Sequence, residues 1–585
     1  MNGAELIAKF VGERLFPKVF LVTGGACAFI VDAIGRDEKA DYVCMQHEQA
    51  AAMAADAIWR TTGKVGVTVA TSGPGATNLI TGIACSWFDS IPTIHITGQV
   101  NQRESAETLG VNVRQAGFQE TDIVDICRSI TKFATKVRST SELAEALASA
   151  FHIATSGRMG PVLIDVPMDV QQAVCSEDDI DAAFFVEIRS TNSESIKEVS
   201  LALHGAFSAA SRPLVILGAG LGQGGRLQEI QAWCESNGIP YCTSWGGLPF
   251  IEPGGAFYQG SIGVYGGRRA NWAIQCADQI ISLGSRLDNR QRTGNPASFA
   301  PFAKITVIDI DDEELKKFSK NSNYSTFQFD LRDAEQLLIN LEVDVNRFGE
   351  WRQILESNRD LFDDGFDASV KPGSINPYTA VRTIQTTISD RAILVSDCGA
   401  NLCWVYQAIV PSENLLFTAG GNSPMGYSLP AAIGAAIANP DRDVICLIGD
   451  GGLQMNIQEL QTIVSYKLRV KIVVLNNFGY GIIKQFQDAY FNSRYEATGN
   501  GYSLPDFAKI AYAYGIEYQK IENMAQLPKA LKGSSSLIID ITLPENALIT
   551  PKVEMDRFIH DQFPYGSLED RPKPLFEYPT RPSEL

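Results

Sequence analysis

The sequence predicts an α/β protein of three tandem domains, each with a mostly parallel sheet flanked by helices, and a C-terminal tail. Two observations support this prediction. Short apolar runs alternate with helical stretches along most of the chain, which is typical of parallel sheets covered by helices on both faces. A chain of 585 residues is also too long for a single hydrophobic core. We expect the domains at residues 1–185, 196–345 and 372–550, with a tail or lid at 551–585.

The predicted strands are the apolar runs, and the predicted boundaries are the polar stretches between them. Strands are expected at residues 19–22, 42–45, 65–70 and 93–97 in the first domain, 214–217, 279–283 and 305–310 in the second, and 444–448 and 470–475 in the third. Helices are expected at about residues 48–60 and 453–466, and linkers at about 176–195 and 342–372. The proline-rich tail cannot form a core of its own, so we expect it to be disordered or laid over another surface, for example as a cover of the active site.

The composition excludes several classes of protein. The net charge of −18 argues against a nucleic-acid or anionic-membrane partner, since both need a basic face, and we interpret it as an aid to solubility. Residues 1–10 lack the apolar core of a secretion signal, and the most apolar windows are too short to span a bilayer. The eleven cysteines and five histidines lack metal-type spacing, so a zinc site is not expected and a reducing cytoplasm fits best.

The most informative motif is a pair of short segments at the ends of two neighbouring apolar runs, Gly449-Asp450-Gly451 and Asn476-Asn477. The pattern predicts both segments at the carboxyl ends of parallel strands, where open α/β sheets bind ligands. A carboxylate, an amide oxygen, a main-chain carbonyl and phosphate oxygens form the octahedral set that Mg²⁺ prefers. The glycines let the backbone approach a diphosphate, and the helix amino terminus favours its charge. The sequence therefore predicts a magnesium-bound diphosphate.

Further motifs along the chain give this diphosphate an identity. They are residues 47–51 (His-Glu-Gln-Ala-Ala), 71–78 (Thr-Ser-Gly-Pro-Gly-Ala-Thr-Asn), 118–121 (Phe-Gln-Glu-Thr) and 425–432 (Met-Gly-Tyr-Ser-Leu-Pro-Ala-Ala). In this order, and over nearly the whole length, they make the chain resemble the thiamine diphosphate-dependent enzymes of the acetolactate synthase (acetohydroxyacid synthase) family. The resemblance implies a pyrimidine-binding first domain, a central domain of FAD or nucleotide type, and a diphosphate-binding third domain.

Glu48 is the residue on which the implied chemistry depends most. An acidic residue at the start of a helix ordinarily only complements the helix dipole. In the company of the other motifs, the resemblance implies instead that Glu48 hydrogen-bonds the aminopyrimidine ring of the cofactor. Proton exchange there favours the imino tautomer, whose nitrogen removes the proton from C2 of the thiazolium ring. A buried carboxyl group poised for proton transfer is a recognised acid–base device.

The resemblance also assigns residues to the metal and the diphosphate. It implies that Asp450, Asn477 and the main-chain carbonyl of Gly479 hold Mg²⁺, beside the turn framed by Gly449 and Gly451. In this assignment Gly479 supplies the main-chain carbonyl of the octahedral set of oxygen ligands around Mg²⁺. Loss of the Asp450 carboxylate is expected to weaken retention of the cofactor.

Other residues are assigned to the rings of the cofactor and to the substrate. The resemblance implies that Met425 supports the bent cofactor from beneath the thiazolium ring, although a methionine in an apolar run is ordinarily core filler. The carbonyl of Ser423 would meet the amino group of the pyrimidine. Gly25, in a turn that exposes main-chain donors, could stabilise developing charge on a substrate oxygen. Gln119 would lie beside the substrate.

The middle domain contains glycine-rich segments at residues 218–222 and 284–290. A glycine-rich turn after a strand is weak evidence for a nucleotide, and a tight strand–helix connection explains it equally well. The resemblance implies FAD, with Arg286 paired to its diphosphate and Asp309 to a ribose hydroxyl.

Five residues depart from the family pattern. Met168 stands where a lysine is usual, Ala400-Asn401 where Gln-His is usual, and Phe486 where a tryptophan is usual. Thr23 replaces the proline of a Pro-Gly-Gly segment. Met168, Ala400-Asn401 and Phe486 lie towards the substrate and the diphosphate, so they leave open the identity of the acceptor substrate but not that of the cofactor. Asn401 is kept as a candidate cofactor-binding residue.

The motifs together predict a carboligase that depends on thiamine diphosphate and Mg²⁺. It would decarboxylate a 2-oxo acid, with pyruvate expected, and transfer the two-carbon unit to a second carbonyl compound, giving acetolactate if the acceptor is pyruvate. Three alternatives stay open: transfer to a nucleotide-activated keto sugar giving a branched sugar, simple decarboxylation or oxidation of the 2-oxo acid, and a non-catalytic binding or regulatory homologue. The intact Glu48, Asp450 and Asn477 speak against the last. The resemblance implies a homodimer or homotetramer with active sites between chains.

Overall fold

The computed structural model describes residues 1–185, 193–338, 341–533, 535–565, 572–579 and 581–584. It confirms the predicted fold class, because three six-stranded sheets follow one another along the chain and their strands pair in parallel. Buried aliphatic and aromatic side chains pack between these sheets and their helices. In the part of the chain that the structure describes, no helix is both long and apolar enough to cross a membrane.

The first sheet has the strand order β2-β1-β3-β4-β6-β5. Its strands are β1 (Lys18–Leu21), β2 (Asp41–Cys44), β3 (Gly66–Ala70), β4 (Thr93–Gln99), β5 (Phe133–Lys136) and β6 (Val162–Pro167). Its helices are α1 (Gly3–Arg14), α2 (Ala28–Arg36), α3 (Glu48–Thr62), α4 (Pro74–Asn78), α5 (Ile80–Asp89), α6 (Ala106–Leu109), α7 (Ile123–Cys127), α8 (Thr140–Thr155), α9 (Met168–Gln172) and α10 (Glu177–Ala183). The four strands predicted here match β1 to β4 to within two residues at each end.

The second sheet has the order β12-β11-β10-β7-β8-β9. Its strands are β7 (Pro213–Leu217), β8 (Tyr241–Thr243), β9 (Tyr258–Ser261), β10 (Gln279–Leu283), β11 (Lys304–Asp309) and β12 (Tyr324–Gln328). Its helices are α11 (Ser193–Ala209), α12 (Ala219–Gln223), α13 (Leu227–Ser236), α14 (Arg268–Cys276), α15 (Asn289–Arg292), α16 (Asp312–Lys316), α17 (Ala334–Leu338) and α18 (Gly349–Ser357).

The third sheet, in the order β14-β13-β15-β16-β18-β17, repeats the topology of the first. Its strands are β13 (Ile393–Ser396), β14 (Leu415–Phe417), β15 (Val444–Gly449), β16 (Val470–Asn476), β17 (Glu517–Ile521) and β18 (Leu537–Thr542). Its helices are α19 (Pro377–Thr387), α20 (Ala400–Ala408), α21 (Ser428–Ala438), α22 (Asp450–Met455), α23 (Leu460–Ser465), α24 (Gly481–Tyr490), α25 (Phe507–Tyr514) and α26 (Leu527–Leu531). A short antiparallel pair, β19 (Lys552–Val553) and β20 (Gln562–Phe563), follows.

Both predicted linkers contain ordered helices, so that prediction was wrong in part. Residues 177–183 form α10, where Ser176 makes a capping box with Asp179. Within 342–372, α18 buries Trp351 and Leu355 in the core of the central domain. Their spacing of four residues places both on one helix face. The part of the first predicted linker at 186–192 lies outside the described residues.

The helix predicted at about 453–466 begins earlier and is interrupted. It starts at Asp450 as α22, stops at Asn456, makes the 3₁₀ turn Ile457–Glu459 and resumes as α23. Asn456 leaves the helical conformation, with φ −132° and ψ 29°. Its side chain is used in tertiary contacts instead, because Nδ2 donates to the carbonyl of Gly426 at 2.9 Å.

The described residues of the tail are laid over the central domain. Val553 and Ile559 are buried within that domain's core. Arg268 of α14 donates hydrogen bonds from its guanidinium to the carbonyls of Gln562 and Pro564. The tail is thus stabilised by packing against the central domain, in agreement with the expectation that its proline-rich sequence cannot form a core of its own.

Small residues bring α3 of the first domain very close to α21 of the third. A methyl group at Gly434 would lie 2.2 Å from the carbonyl oxygen of Ala54. On the other side of α3, a methyl group at Gly82 would lie 2.3 Å from Cβ of Ala52. The two outer domains of one chain therefore share a single apolar core.

Candidate active site

The turn after β15 carries the carboxylate of the predicted metal site. Asp450 is the first residue of α22 and is buried. Its Oδ1 accepts from the Gly451 amide at 2.6 Å and from the Tyr502 hydroxyl at 3.0 Å, and its Oδ2 accepts from the Gly479 amide at 3.1 Å. Burial raises the pKa of Asp450 to about 6. The bond to Gly479 brings the two halves of the motif together, because β15 and β16 are neighbours in the sheet.

Two buried polar atoms beside this turn have no hydrogen-bond partner among the described residues. They are Nδ2 of Asn477 and Oδ1 of Asn401. The amide nitrogen of Asn401 is fully used, since it donates to the Ser396 hydroxyl and to the carbonyls of Asp397 and Leu447. Buried polar atoms are normally satisfied, so both orphans point to a polar group that completes them.

The two glycines of the turn have different surroundings: there is free space beside Gly449, whereas Gly451 is closely packed. A methyl group at Gly449 would meet no atom within 4 Å, so the space above the strand end is free. A methyl group at Gly451 would lie 2.6 Å from Cε1 of Tyr480 and 3.2 Å from Cε of Met425. Met425 therefore lies directly against the motif from which it is separated in sequence.

Asp397 fixes the loop that carries Ser423 and Met425. Its carboxylate accepts from the amides of Gly426 and Ser428, and from the Ser428 hydroxyl, each at 3.0 Å. Burial raises the pKa of Asp397. Ser423 has φ +49°, a left-handed conformation that turns its backbone. Asp397 was not chosen as a site residue from the sequence, although it lies only three residues before Ala400-Asn401, one of the departures from the family pattern.

Glu48 begins α3 and is nearly buried. The preceding residue, His47, caps the helix, since its Nδ1 accepts from the Gln49 amide at 3.1 Å. One oxygen of Glu48, Oε2, accepts from Nδ2 of Asn78 at 2.9 Å. The other, Oε1, accepts no hydrogen bond from the described residues and would lie 3.2 Å from a methyl group at Gly75. Glu48 thus presents one anchored oxygen and one available oxygen.

The turn of Gly25 and the loop of Gln119 lie close to the same glycine-rich segment. Gly25 opens the 3₁₀ turn Gly25–Cys27, and a methyl group there would meet nothing within 4 Å. The next amide, of Ala26, donates to Oγ1 of Thr71 at 3.2 Å. Gln119 has φ +61°, and its Cβ would lie 2.9 Å from a methyl group at Gly73.

The predicted residues thus fall into two groups within one chain. Glu48, Gly25 and Gln119 gather around residues 71–78 of the first domain. Asp450, Gly479 and Met425 gather around the turn after β15 in the third.

A cavity of about 430 Å³ lies where the three domains meet, and it contains the candidate residues of the central domain. Arg286 and Asp309 line it, and it extends to Ser423 of the third domain. Arg286 donates from Nη1 to the carbonyl of Phe88 at 2.9 Å. Burial raises the pKa of the Asp309 carboxyl. The glycine turn at Gly218 also has a packing role, because a methyl group there would lie 2.1 Å from the carbonyl of Gly284.

The remaining departures from the family pattern lie on helices that follow strands. Met168 is the first residue of α9, after β6. Phe486 lies on α24, where its ring centroid is 4.7 Å from that of Tyr490 and 5.7 Å from that of Phe491.

Comparisons with known proteins agree with this architecture. Three models of the thiamine pyrophosphate enzymes match: the N-terminal TPP binding domain at residues 1–126, the central domain at 202–326, and the C-terminal TPP binding domain at 397–537. Each model falls on one of the three parallel sheets.

Curated relatives match over nearly the whole chain. The acetolactate synthase large subunit of Lactococcus lactis subsp. lactis is 32% identical over 94% of this chain and 94% of its own. The acetolactate synthase isozyme 2 large subunit of Escherichia coli is 36% identical over 91% of this chain and 93% of its own. The acetolactate synthase of Arthrospira platensis is 35% identical over 94% and 96%. With this agreement of sheets, site turns and relatives, the chain belongs to the acetolactate synthase family of thiamine pyrophosphate-dependent enzymes.

Proposed function

We propose that the protein is a thiamine diphosphate- and Mg²⁺-dependent carboligase that decarboxylates pyruvate and transfers the two-carbon unit to a second 2-oxo acid. Membership of the acetolactate synthase family supports this reaction. The observation that carries it is that the chain holds, in two separate groups, an available carboxylate oxygen on Glu48 and a buried carboxylate in the turn at Asp450.

The residues present fit the cofactor and its metal. Asp450, the side-chain oxygen of Asn477 and the carbonyl of Gly479 would hold Mg²⁺. The orphaned atoms Asn401 Oδ1 and Asn477 Nδ2 would gain partners when the site is filled. Space above Gly449 would admit the diphosphate at the amino terminus of α22.

Glu48 would carry the proton transfer. Asn78 holds Oε2, which fixes the orientation of the carboxylate and leaves Oε1 free to exchange a proton with the aminopyrimidine nitrogen. Bound thiamine diphosphate would supply the electron sink that permits loss of CO₂ from a 2-oxo acid. The amide of Gly25 would donate to the substrate oxygen, and Gln119 would lie beside the substrate.

The reaction can be tested by mass spectrometry of products from pyruvate, alone and with a panel of carbonyl acceptors that includes nucleotide-linked keto sugars. We expect acetolactate from pyruvate alone. Acetaldehyde or acetate as the sole product would contradict carboligation. A branched sugar, formed faster than acetolactate, would show that the acceptor is not a 2-oxo acid.

We also propose that FAD occupies the cavity between the domains. Its volume suits an extended cofactor, and Arg286 offers a guanidinium that is about one-third exposed. The buried Asp309 at the end of β11 would accept from a ribose hydroxyl, in the manner of nucleotide-binding α/β sheets.

Purified protein is therefore expected to be yellow and to release FAD on denaturation. Arg286→Ala should weaken flavin retention at least about tenfold, because a charge-assisted diphosphate contact is lost. Arg226 is a matched control, since its side chain is 33% exposed against 31% for Arg286 and it forms an ion pair with Glu229. Flavin absorbance per chain measures the bound FAD in the wild type and in both variants. Wild-type protein that stays colourless when produced in flavin-rich medium would contradict the proposal that FAD is bound.

We propose further that the enzyme is a homodimer or homotetramer with active sites between chains. Exposed apolar side chains flank both halves of the site: Val111, Val113 and Phe118 (83% exposed) near Gln119, and Phe478 and Ile483 near Gly479. Apolar clusters of this kind mark surfaces that another chain covers. We also propose a cytoplasmic location, where the eleven free thiols would stay reduced.

Mixing two inactive variants tests the shared site. If Glu48 of one chain serves the Asp450 turn of another, co-expressed Glu48→Gln and Asp450→Ala chains should form hybrid dimers with one intact site in each. Random pairing would then restore about a quarter of wild-type activity. Activity no higher than that of the separate variants would contradict active sites between chains.

A further inference from the structure

A fully buried carboxylate lies one short segment after the predicted metal turn. Glu459 ends the 3₁₀ turn Ile457–Glu459 and precedes α23. Its side chain is 0% exposed. Although Glu459 belongs to the third domain, its carboxylate points at the backbone of the first.

The carboxylate contacts the turn that leads into α3. The amide of Gln46 donates to Oε1 of Glu459 at 3.1 Å and to Oε2 at 3.3 Å. The hydroxyl of Thr462 donates to Oε2 at 2.7 Å, which holds the side chain in this direction. Gln46 lies two residues before Glu48, so the contact fixes the backbone immediately before the proposed proton-transfer residue.

The charge of Glu459 is not balanced by a cation. No ion pair to it occurs among the described residues, and burial raises its pKa to about 7. A buried carboxylate without a counter-ion is costly to the fold. Its donors are the hydroxyl of Thr462 and the backbone amide of Gln46. An apolar side chain would fill the space at lower cost but could not hold that amide.

The same segment makes a second bridge to α3. Oδ1 of Asn456 accepts from Nε2 of Gln49 at 3.4 Å, while its Nδ2 donates to the carbonyl of Gly426. Residues 456–459 therefore contact the residues on either side of Glu48 and also the loop of Met425. The two contacts tie the start of α3 to the diphosphate-binding domain.

We propose that Glu459 is a positioning residue, whose carboxylate acts through the Gln46 amide to hold the start of α3 and so keep Glu48 in the geometry for proton exchange with the cofactor. This inference rests on the proposed function of Glu48. Glu459 touches neither cofactor nor substrate in this role. Its removal affects the orientation of Glu48 rather than the binding of Mg²⁺ or pyruvate.

The test is Glu459→Gln, which keeps the shape of the side chain but replaces one acceptor oxygen with a donor. We expect kcat to fall between about 10- and 100-fold, because small displacements of reacting groups have effects of this size. The KM for pyruvate and the affinity for Mg²⁺ should not change. Hydrogen–deuterium exchange at C2 of bound thiamine diphosphate should slow by the same factor as kcat, since it reports proton transfer without substrate.

Tyr466→Phe is the matched control. The Tyr466 hydroxyl also accepts a hydrogen bond from a backbone amide of the first domain, that of Cys44, at 2.7 Å. Cys44 lies at the end of β2 and not in the turn that immediately precedes Glu48. Tyr466→Phe should destabilise the domain contact without slowing C2 exchange. If Glu459→Gln does not fold, Glu459→Asp, which keeps the charge but withdraws it by one methylene, is expected to show the same selective loss.

Wild-type exchange in folded Glu459→Gln would overturn the positioning role, as would an equal loss in Tyr466→Phe. A wild-type protein that binds thiamine diphosphate but exchanges C2 no faster than the free cofactor would instead overturn the proposed function itself.

Discussion

Replacing Glu48 with glutamine is expected to lower the turnover of pyruvate by about 10²–10⁴-fold, the contribution typical of a positioned general acid–base group. Glutamine keeps the oxygen that accepts from Asn78, so the local fold should persist. What it loses is the oxygen that can carry a proton. Turnover should be measured at saturating cofactor and Mg²⁺, together with the dissociation constant of thiamine diphosphate.

Glu142→Gln is a suitable control for this substitution. Glu142 is also an acid in the first turn of a helix of the first domain, α8, and its carboxylate accepts from the Arg138 amide. Its replacement should leave turnover unchanged. Full activity in Glu48→Gln would refute the proton-transfer role, whereas a lost cofactor would show that Glu48 serves binding instead.

Replacing Asp450 with alanine is expected to weaken the Mg²⁺-dependent retention of thiamine diphosphate by at least about 100-fold. Even residues that only support a metal ligand change affinity by about 10- to 100-fold, and Asp450 is the one carboxylate in the proposed set. The substitution also leaves the amides of Gly451 and Gly479 without their acceptor. Cofactor bound per chain after gel filtration is the direct measurement.

Asp443→Ala tests whether the effect is local. Asp443 precedes β15 at the opposite end of the strand from Asp450 and pairs with Arg469 at the surface. It should retain the cofactor like the wild type. If the Asp450→Ala protein still retained thiamine diphosphate after a chelator has removed Mg²⁺, the assignment of Asp450 as a ligand of the metal would be wrong.

Most of the strands that the sequence predicts have side chains that are buried in the fold, although β2 was predicted and is largely exposed. β15 is an almost continuous apolar run, β10 is apolar apart from Gln279 and Ser282, and both were predicted to within a residue. The edge strands β5 and β12 are only partly buried and carry polar residues, so they give no apolar run to detect. Partial burial accounts for these two strands, but β6, β13 and β18 are almost wholly buried and were also not predicted.

The adjacency of Asp450 and Gly479 was predictable for a different reason. Neighbouring parallel strands end at the same edge of a sheet, so sequence order alone places their following turns together. Asp397 directly follows β13, the neighbour of β15, so the same rule places it at this edge of the sheet. The rule does not reveal what Asp397 holds, nor does it place Glu459. Each contact is recognisable only once the distant amide donor, that of Gly426 or of Gln46, has been brought near by packing between elements.

The break at Asn456 shows the same limit. Residues 450–465 have helix-forming composition, yet the chain leaves the helix at Asn456 to reach Gly426 and Gln49. A local pattern cannot reveal this, because the partners that stabilise the break are remote in sequence.

The close approach of α3 and α21 has a consequence for motion. With the carbonyl of Ala54 against the bare backbone of Gly434, neither helix can slide or rotate without a steric clash. The first and third domains of one chain are therefore held in one arrangement. Any opening of an active site that lies between chains must come from the contact between those chains rather than from a hinge between these two domains.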